Sequence, residues 1–123
     1  MKTETLKLWF SVVSIIGMMW GVAFSFFGLA VIPVVDPAVL VPWGNGVYGA
    51  TLIGLSATLF LVGRHAFEKH DTELMKALLY GILIWLVIEA AFSLYYGVFL
   101  NVGVDVGIAV LFGVPLLKGM RSI

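Results

Sequence analysis

The residues of this chain that could do chemistry are carboxylates inside apolar segments. Glu89 lies within YGILIWLVIEAAFSLYYG, residues 80–97, with no lysine or arginine nearby in the sequence. Asp105 lies near the start of the next apolar segment. Because an ionised carboxylate that faces lipid is costly, Glu89 is expected to face a helix bundle or a wet cavity, where it can hydrogen-bond or bind a ligand.

Several other side chains fall at a similar depth if each helix rises about 1.5 Å per residue. Ser93 and Trp85 lie one turn from Glu89 on either side, and Asn101 lies one turn before Asp105. Two earlier helices would each add a hydroxyl group to this layer. The predicted ligand-binding set is Ser25, Tyr48, Trp85, Glu89, Ser93, Asn101 and Asp105.

Two interpretations of the carboxylates stay open. In the first, they line a pocket for a ligand. In the second, Glu89 is a structural hydrogen-bonding group between helices, and Asp105 is an interfacial acid near the positive end of the fourth helix dipole.

Other kinds of site are disfavoured by what the sequence lacks. There is no cysteine, no Gly-rich phosphate loop and no HExxH motif. His65 and His70 are five residues apart without an evident third ligand, so a metal site is not predicted. The sequence leans against an enzyme and predicts no catalytic residue, and any cofactor stays unknown.

The composition is that of a membrane protein. Hydrophobic residues make up 62% of the 123 residues and charged residues 11%, whereas soluble domains have about 25% charged residues. Mean hydropathy is +1.12. A net charge of zero gives no basic field for nucleic acid.

Four apolar segments predict an all-α, up-down-up-down four-helix membrane bundle that forms one domain over residues 1–123. A span needs about 20 apolar residues. The predicted spans are about 6–32, 46–63, 74–96 and 102–117, the first ending at Pro33. The prolines between the first two spans are expected to keep that connection extended or turning, and Asp71 or Thr72 is expected to cap the third helix.

Charge places both termini in the cytoplasm. All lysines and arginines lie before or at the start of span 1, between spans 2 and 3, at the start of span 3 or after span 4. The positive-inside rule then sets the orientation. A prokaryotic plasma membrane is the expected location.

Small residues recur at spacings of three and four along three of the helices. Such stripes let helix backbones approach closely in lipid. The predicted packing residues are Gly17, Gly21, Ser25, Gly28, Ala50, Gly54, Gly103 and Gly107.

A short internal similarity links AFSFFG at 23–28 with AFSLYYG at 91–97. Each lies near the outer end of an odd-numbered helix. This pattern fits a parallel repeat of two helix pairs, and it also fits chance, since the residue types are common in membrane helices.

Three functions fit these features. The first is a non-catalytic accessory subunit that packs against other membrane subunits or against copies of itself. The alternative is a transporter or binding protein for a lipid, a quinone or another small hydrophobic molecule, with an outer-leaflet pocket around Glu89. A carboxylate-using membrane enzyme is the least supported.

The chain resembles the DoxX-like group of small four-helix membrane proteins. The likeness lies in helix 1 ending at Pro33, the outer loop, and the Gly-rich start of helix 2, GVYGATLIGL at 46–55. The resemblance implies a four-helix bundle, in a group often of unassigned function and sometimes associated with redox systems. It carries over no functional residue.

Overall fold

The computed structural model describes residues 2–28 and 35–121, apart from the side chains at positions 3, 7, 11, 13, 14 and 17. Within this part the chain is helical and forms no β-strand, which confirms the all-α prediction. The elements are α1 (Thr3–Phe27), a 3-10 helix (Pro37–Val39), α2 (Leu40–Glu68), α3 (Thr72–Tyr95) and α4 (Phe99–Arg121).

Three segments of the described chain are long and apolar enough to cross a membrane. They are Pro37–Glu68, Thr72–Tyr95 and Phe99–Arg121. Contacts divide the chain into two compact units, Met1–Leu52 and Ile53–Ile123. Three points stay predictions: that α1 spans the membrane, that four helices form one bundle, and that the chain is a single domain.

The first helix ends earlier than predicted because a glycine caps it. α1 stops at Phe27 instead of reaching residue 32. Gly28 adopts a left-handed φ of 75°, which suits glycine, and its N–H donates to the Phe24 carbonyl at 2.9 Å. Pro33, the predicted terminator, lies outside the described residues.

The second helix begins earlier than predicted, so most of the described outer connection is helical rather than extended. The Asp36 carboxylate accepts a hydrogen bond from the Ala38 N–H at 2.9 Å and caps the 3-10 helix. α2 then begins at Leu40 instead of residue 46. Pro42 lies in its first turn, where the missing N–H removes no intrahelical bond.

A tight turn, rather than the predicted ten-residue loop, joins α2 to α3. The His70 N–H donates to the Phe67 carbonyl at 3.2 Å, and the Asp71 N–H donates to the Ala66 carbonyl at 2.9 Å. These two bonds form a Schellman motif. The Asp71 carboxylate accepts from the Leu74 N–H at 3.0 Å, which confirms the predicted cap of α3.

His70 holds a left-handed φ of 51° in this turn. We expect His70→Gly to raise the free energy of unfolding by about 0.5–1 kcal/mol, the relief of backbone strain less the larger unfolded-state entropy of glycine. Denaturation by SDS in mixed micelles, followed by far-UV circular dichroism, measures the change. Gly97→Ala, at a φ of 75°, should lower stability in the same assay. A loss of stability in His70→Gly would contradict this account of the turn.

α3 and α4 pack antiparallel within the second unit. Asn101 contacts Ser93 beside the α3–α4 turn, and Gly119 lies against Met75 at the opposite end. Between them, a Cβ at Gly113 would lie 3.7 Å from Leu79 Cδ1. The buried apolar core of the described chain lies along this contact and includes one residue of α2. Its members are Ala66, Met75, Ile82, Ala109 and Leu116.

One end of the second unit is basic. Because Gly119 lies against both Phe67 and Met75, the α2–α3 turn and the end of α4 are at the same end. All lysines and arginines of this unit lie there, and we call it the basic end. They are Arg64, Lys69, Lys76, Lys118 and Arg121.

Candidate functional site

Three of the predicted site residues form a hydrogen-bonded group, which we call the polar cluster: Ser93, Asn101 and Asp105. Asn101 Nδ2 donates to Ser93 Oγ at 2.8 Å and to Asp105 Oδ2 at 3.3 Å. An amide has two N–H bonds, so one side chain serves both acceptors. Ser93 is buried, and Asp105 is only 2% exposed. The polar cluster therefore ties α3 to α4 where little water reaches.

The α3–α4 turn positions the polar cluster. The Val98 N–H donates to the Ser93 carbonyl at 2.8 Å, and the Gly97 N–H donates to the Leu94 carbonyl at 3.1 Å. This is a second Schellman motif, made possible by the left-handed φ of Gly97. The Asn101 N–H then donates to the Val98 carbonyl at 3.1 Å, in the first turn of α4. So tight a turn brings the side chains of Ser93 and Asn101 within hydrogen-bonding distance.

Glu89 belongs to the same hairpin at the level of Asp105. It lies one turn before Ser93 on α3, and Asp105 lies one turn after Asn101 on α4. Since Ser93 contacts Asn101 and the helices are antiparallel, the two carboxylate-bearing positions share a level. Glu89 is half-buried, as is Trp85 one turn further along α3.

Ser25 and Tyr48 lie in the first unit, where both are exposed. The structure thus joins Ser93, Asn101 and Asp105 by hydrogen bonds. That Trp85 and Glu89 belong to one binding site with them stays a prediction. That α1 and α2 add hydroxyl groups to the same layer stays a prediction.

The predicted packing glycines lie beside open space. Within the described units, a Cβ added at Gly21, Gly54, Gly103 or Gly107 would meet nothing within 4 Å. Gly28 caps α1, Ser25 and Ala50 are exposed, and Gly17 lies outside the described side chains. Contacts of these stripes with other molecules stay a prediction.

Closely packed glycines do occur, at positions outside the predicted stripes. Gly113 lies near Leu79, and Gly119 lies against Phe67 and Met75. The sequence signal for both is weak, because only the antiparallel register of α3 and α4 shows which glycines face a neighbour.

A groove at the basic end also lies outside the predicted site. It has a volume of about 510 Å³ and lies between the last turns of α2, the first half of α3 and the last turns of α4. Its rim carries Arg64 and Glu68, whose Nη2 and Oε1 atoms are 3.3 Å apart. We call it the basic-end groove. Its apolar wall includes Leu59, Phe60, Gly63, Leu78, Ile82, Leu111, Phe112, Pro115 and Leu116.

The histidines lie at the basic end, and both are exposed. His65 is in the last turn of α2. Among residues 2–28 and 35–121, no three His, Asp or Glu side chains are grouped to hold a metal ion.

No protein-family model matches the chain, and neither a curated protein nor a solved structure shows a significant match. The resemblance to DoxX-like proteins stays a prediction. Function must therefore be inferred from the chain's own surfaces.

Proposed function

We propose that this chain is a small non-catalytic integral membrane protein that packs against other transmembrane helices as an accessory subunit. Support comes from three apolar helices long enough to span a bilayer and from the small core of the second unit. Large apolar side chains such as Ile84, Val87 and Leu111 are exposed. Lipid or partner helices must cover them.

The proposed arrangement is a four-span bundle with both termini in the cytoplasm of a prokaryotic cell. The gathering of the second unit's lysines and arginines at the basic end supports this orientation, because such residues favour the cytoplasmic side. Lys2 and Lys7, before the apolar part of α1, fit the same side.

The outward face of α4 is the observation that carries the proposal. Gly103 and Gly107 each lie two residues from the buried Asp105. Two residues correspond to a rotation of about 200° around the helix axis, so both glycines lie on the face of α4 opposite the one that meets α3. Each lies beside open space. Val110 and Val114 continue this exposed stripe. A Gly-xxx-Gly face with β-branched neighbours suits close contact with another helix.

Purification in mild detergent from the source membrane tests the proposal. We expect other membrane proteins to co-purify in fixed stoichiometry and to be lost in Gly103→Leu and Gly107→Leu. Gly81→Leu is the matched control, since Gly81 is also exposed beside open space but lies on α3. A chain that purifies alone, or partners lost equally in the control, would contradict an accessory role for the α4 face.

A ligand-binding function is the second candidate, favoured by the half-buried Glu89 at the level of Asp105. A carboxyl group at position 89, at the level of the polar cluster, could accept hydrogen bonds from a small molecule that has donors. Mass spectrometry of the purified chain should then find a bound lipid, quinone or other small molecule that is lost in Glu89→Gln. Unchanged ligand content in this variant would remove Glu89 from the site.

A further inference from the structure

We propose that the basic-end groove binds one phospholipid with a primary ammonium headgroup, of the phosphatidylethanolamine type. The groove is separate from the polar cluster and from the outward α4 face. The inference depends on the membrane location of these helices and not on the accessory-subunit function.

The shape of the groove suits an acyl chain. Its volume of about 510 Å³ lies within the range of about 300–1,000 Å³ that is usual for ligand pockets. On α2 its lining begins at Glu68 near the helix end and reaches Leu59, a rise of about 13 Å. The charged side chains lie near the helix end, and the deeper wall is apolar. A headgroup can therefore lie at the rim while one chain follows the wall into the bilayer.

The charges of the rim select the headgroup. Arg64 and Glu68 both line the groove and form an exposed ion pair. A guanidinium group binds phosphate oxygens through a planar fork of N–H donors, and the bond to Glu68 occupies one of them. A carboxylate accepts hydrogen bonds from an ammonium group. A headgroup with a phosphate and a primary ammonium satisfies both partners.

Choline and glycerol headgroups have no primary ammonium group to pair with Glu68. A choline headgroup has the phosphate but no N–H donor for Glu68. A glycerol headgroup has the phosphate and hydroxyl donors but no cation, so the Glu68 carboxylate lies beside a net negative charge that nothing in the lipid neutralises. The remaining cations of the basic end favour anionic lipid in general, but Lys118 and Arg121 do not line the groove.

Competition among lipids tests the proposal. The full chain is reconstituted in nanodiscs with equal amounts of phosphatidylethanolamine, phosphatidylcholine and phosphatidylglycerol that carry identical acyl chains. Lipids that remain bound after release into mild detergent are counted by native mass spectrometry. We expect one retained phosphatidylethanolamine per chain, enriched about three- to fivefold over each competitor, as one ion-pair interaction near a protein surface would give.

Charge-neutral variants locate the selectivity. Glu68→Gln, which removes the acceptor for the ammonium group, should bring the enrichment close to one. Arg64→Gln, which removes the donor to the phosphate that all three lipids share, should lower the retention of all three. Glu73→Gln and Lys76→Gln are matched controls, because Glu73 and Lys76 form another exposed ion pair, at 3.6 Å, that does not line the groove. Gly63→Leu, which fills the groove from α2, should reduce retention of all three lipids.

Three results would overturn the proposal. Preferential retention of phosphatidylglycerol would mean general attraction to the basic end and would overturn the proposal. Equal retention of the three lipids would also overturn it. So would Glu73→Gln and Lys76→Gln if they changed lipid retention as much as the Arg64 and Glu68 variants do. The side chains of the four charged residues are exposed, so their variants should fold. Far-UV circular dichroism verifies the fold of these variants and of Gly63→Leu.

Discussion

Asn101→Leu is expected to lower the free energy of unfolding by about 2 kcal/mol, because it leaves the Asp105 carboxylate buried without its donor. Asp105 is 2% exposed, so water cannot replace the amide. The substitution also removes the 2.8 Å bond to Ser93 that links α4 to α3. SDS denaturation in mixed micelles, monitored by circular dichroism, gives the free energy for each variant.

A double variant distinguishes two causes of the lost stability. One is the buried Asp105 carboxylate without a donor, and the other is the missing hydrogen bond between Asn101 and Ser93. Asn101→Leu/Asp105→Leu removes both partners, and replacing both partners by apolar groups is often close to neutral. We expect it to be more stable than Asn101→Leu alone. Asn45→Leu, at an exposed position of α2, controls for the general effect of an added leucine. If the double variant is no more stable than the single one, burial of Asp105 is not the source of the loss.

Helix existence could be predicted from the sequence, but among the helix ends only the cap of α3 at Asp71 was. Long apolar runs indicate α2, α3 and α4, since backbone groups in lipid must be paired within the segment. The ends depend on single residues. Gly28 stops α1 before the apolar run is finished, and Pro42 is accepted in the first turn of α2. His70, an unusual residue for a left-handed position, closes the α2–α3 turn.

The similarity between AFSFFG and AFSLYYG has a structural counterpart. Gly28 and Gly97, the last residues of the two segments, both follow a helix end and both have a φ of 75°. The hydrogen bonds differ, however, since the Gly28 N–H donates to the carbonyl four residues back, at Phe24, and the Gly97 N–H donates to the carbonyl three residues back, at Leu94. A repeat of complete helix pairs stays a prediction.

The part of the candidate site that depends on local sequence could also be predicted. Ser93, Asn101 and Asp105 follow from helical periodicity combined with one tight turn. The basic-end groove does not, because its wall comes from three helices whose mutual register the sequence does not contain. Its only local signals are the Arg64–Glu68 spacing of four residues and a proline, Pro115, within α4.

Gly119 is where the three helices of the second unit approach most closely among the described glycines. A Cβ there would lie 2.7 Å from Phe67 Cε1 and 3.0 Å from Met75 Sδ. Met75 is 1% exposed, so its side chain has little room to move. We expect Gly119→Val to lower the free energy of unfolding by about 1–3 kcal/mol, the usual effect of overpacking a core. The same SDS assay measures it.

Two further variants show whether steric conflict is the cause. Gly107→Val adds the same volume to α4 at a position with open space, so it should have little effect on the folding of the isolated chain. Phe67→Ala removes the ring that the new side chain would strike. Combined with Gly119→Val, it should recover part of the loss, because the two positions are in contact and their effects are then non-additive. Additive losses would contradict a steric conflict with Phe67. They would mean that Gly119→Val lowers the free energy of unfolding through its effect on the helix backbone, and that the close contact of α4 with the α2–α3 turn does not stabilise the basic end.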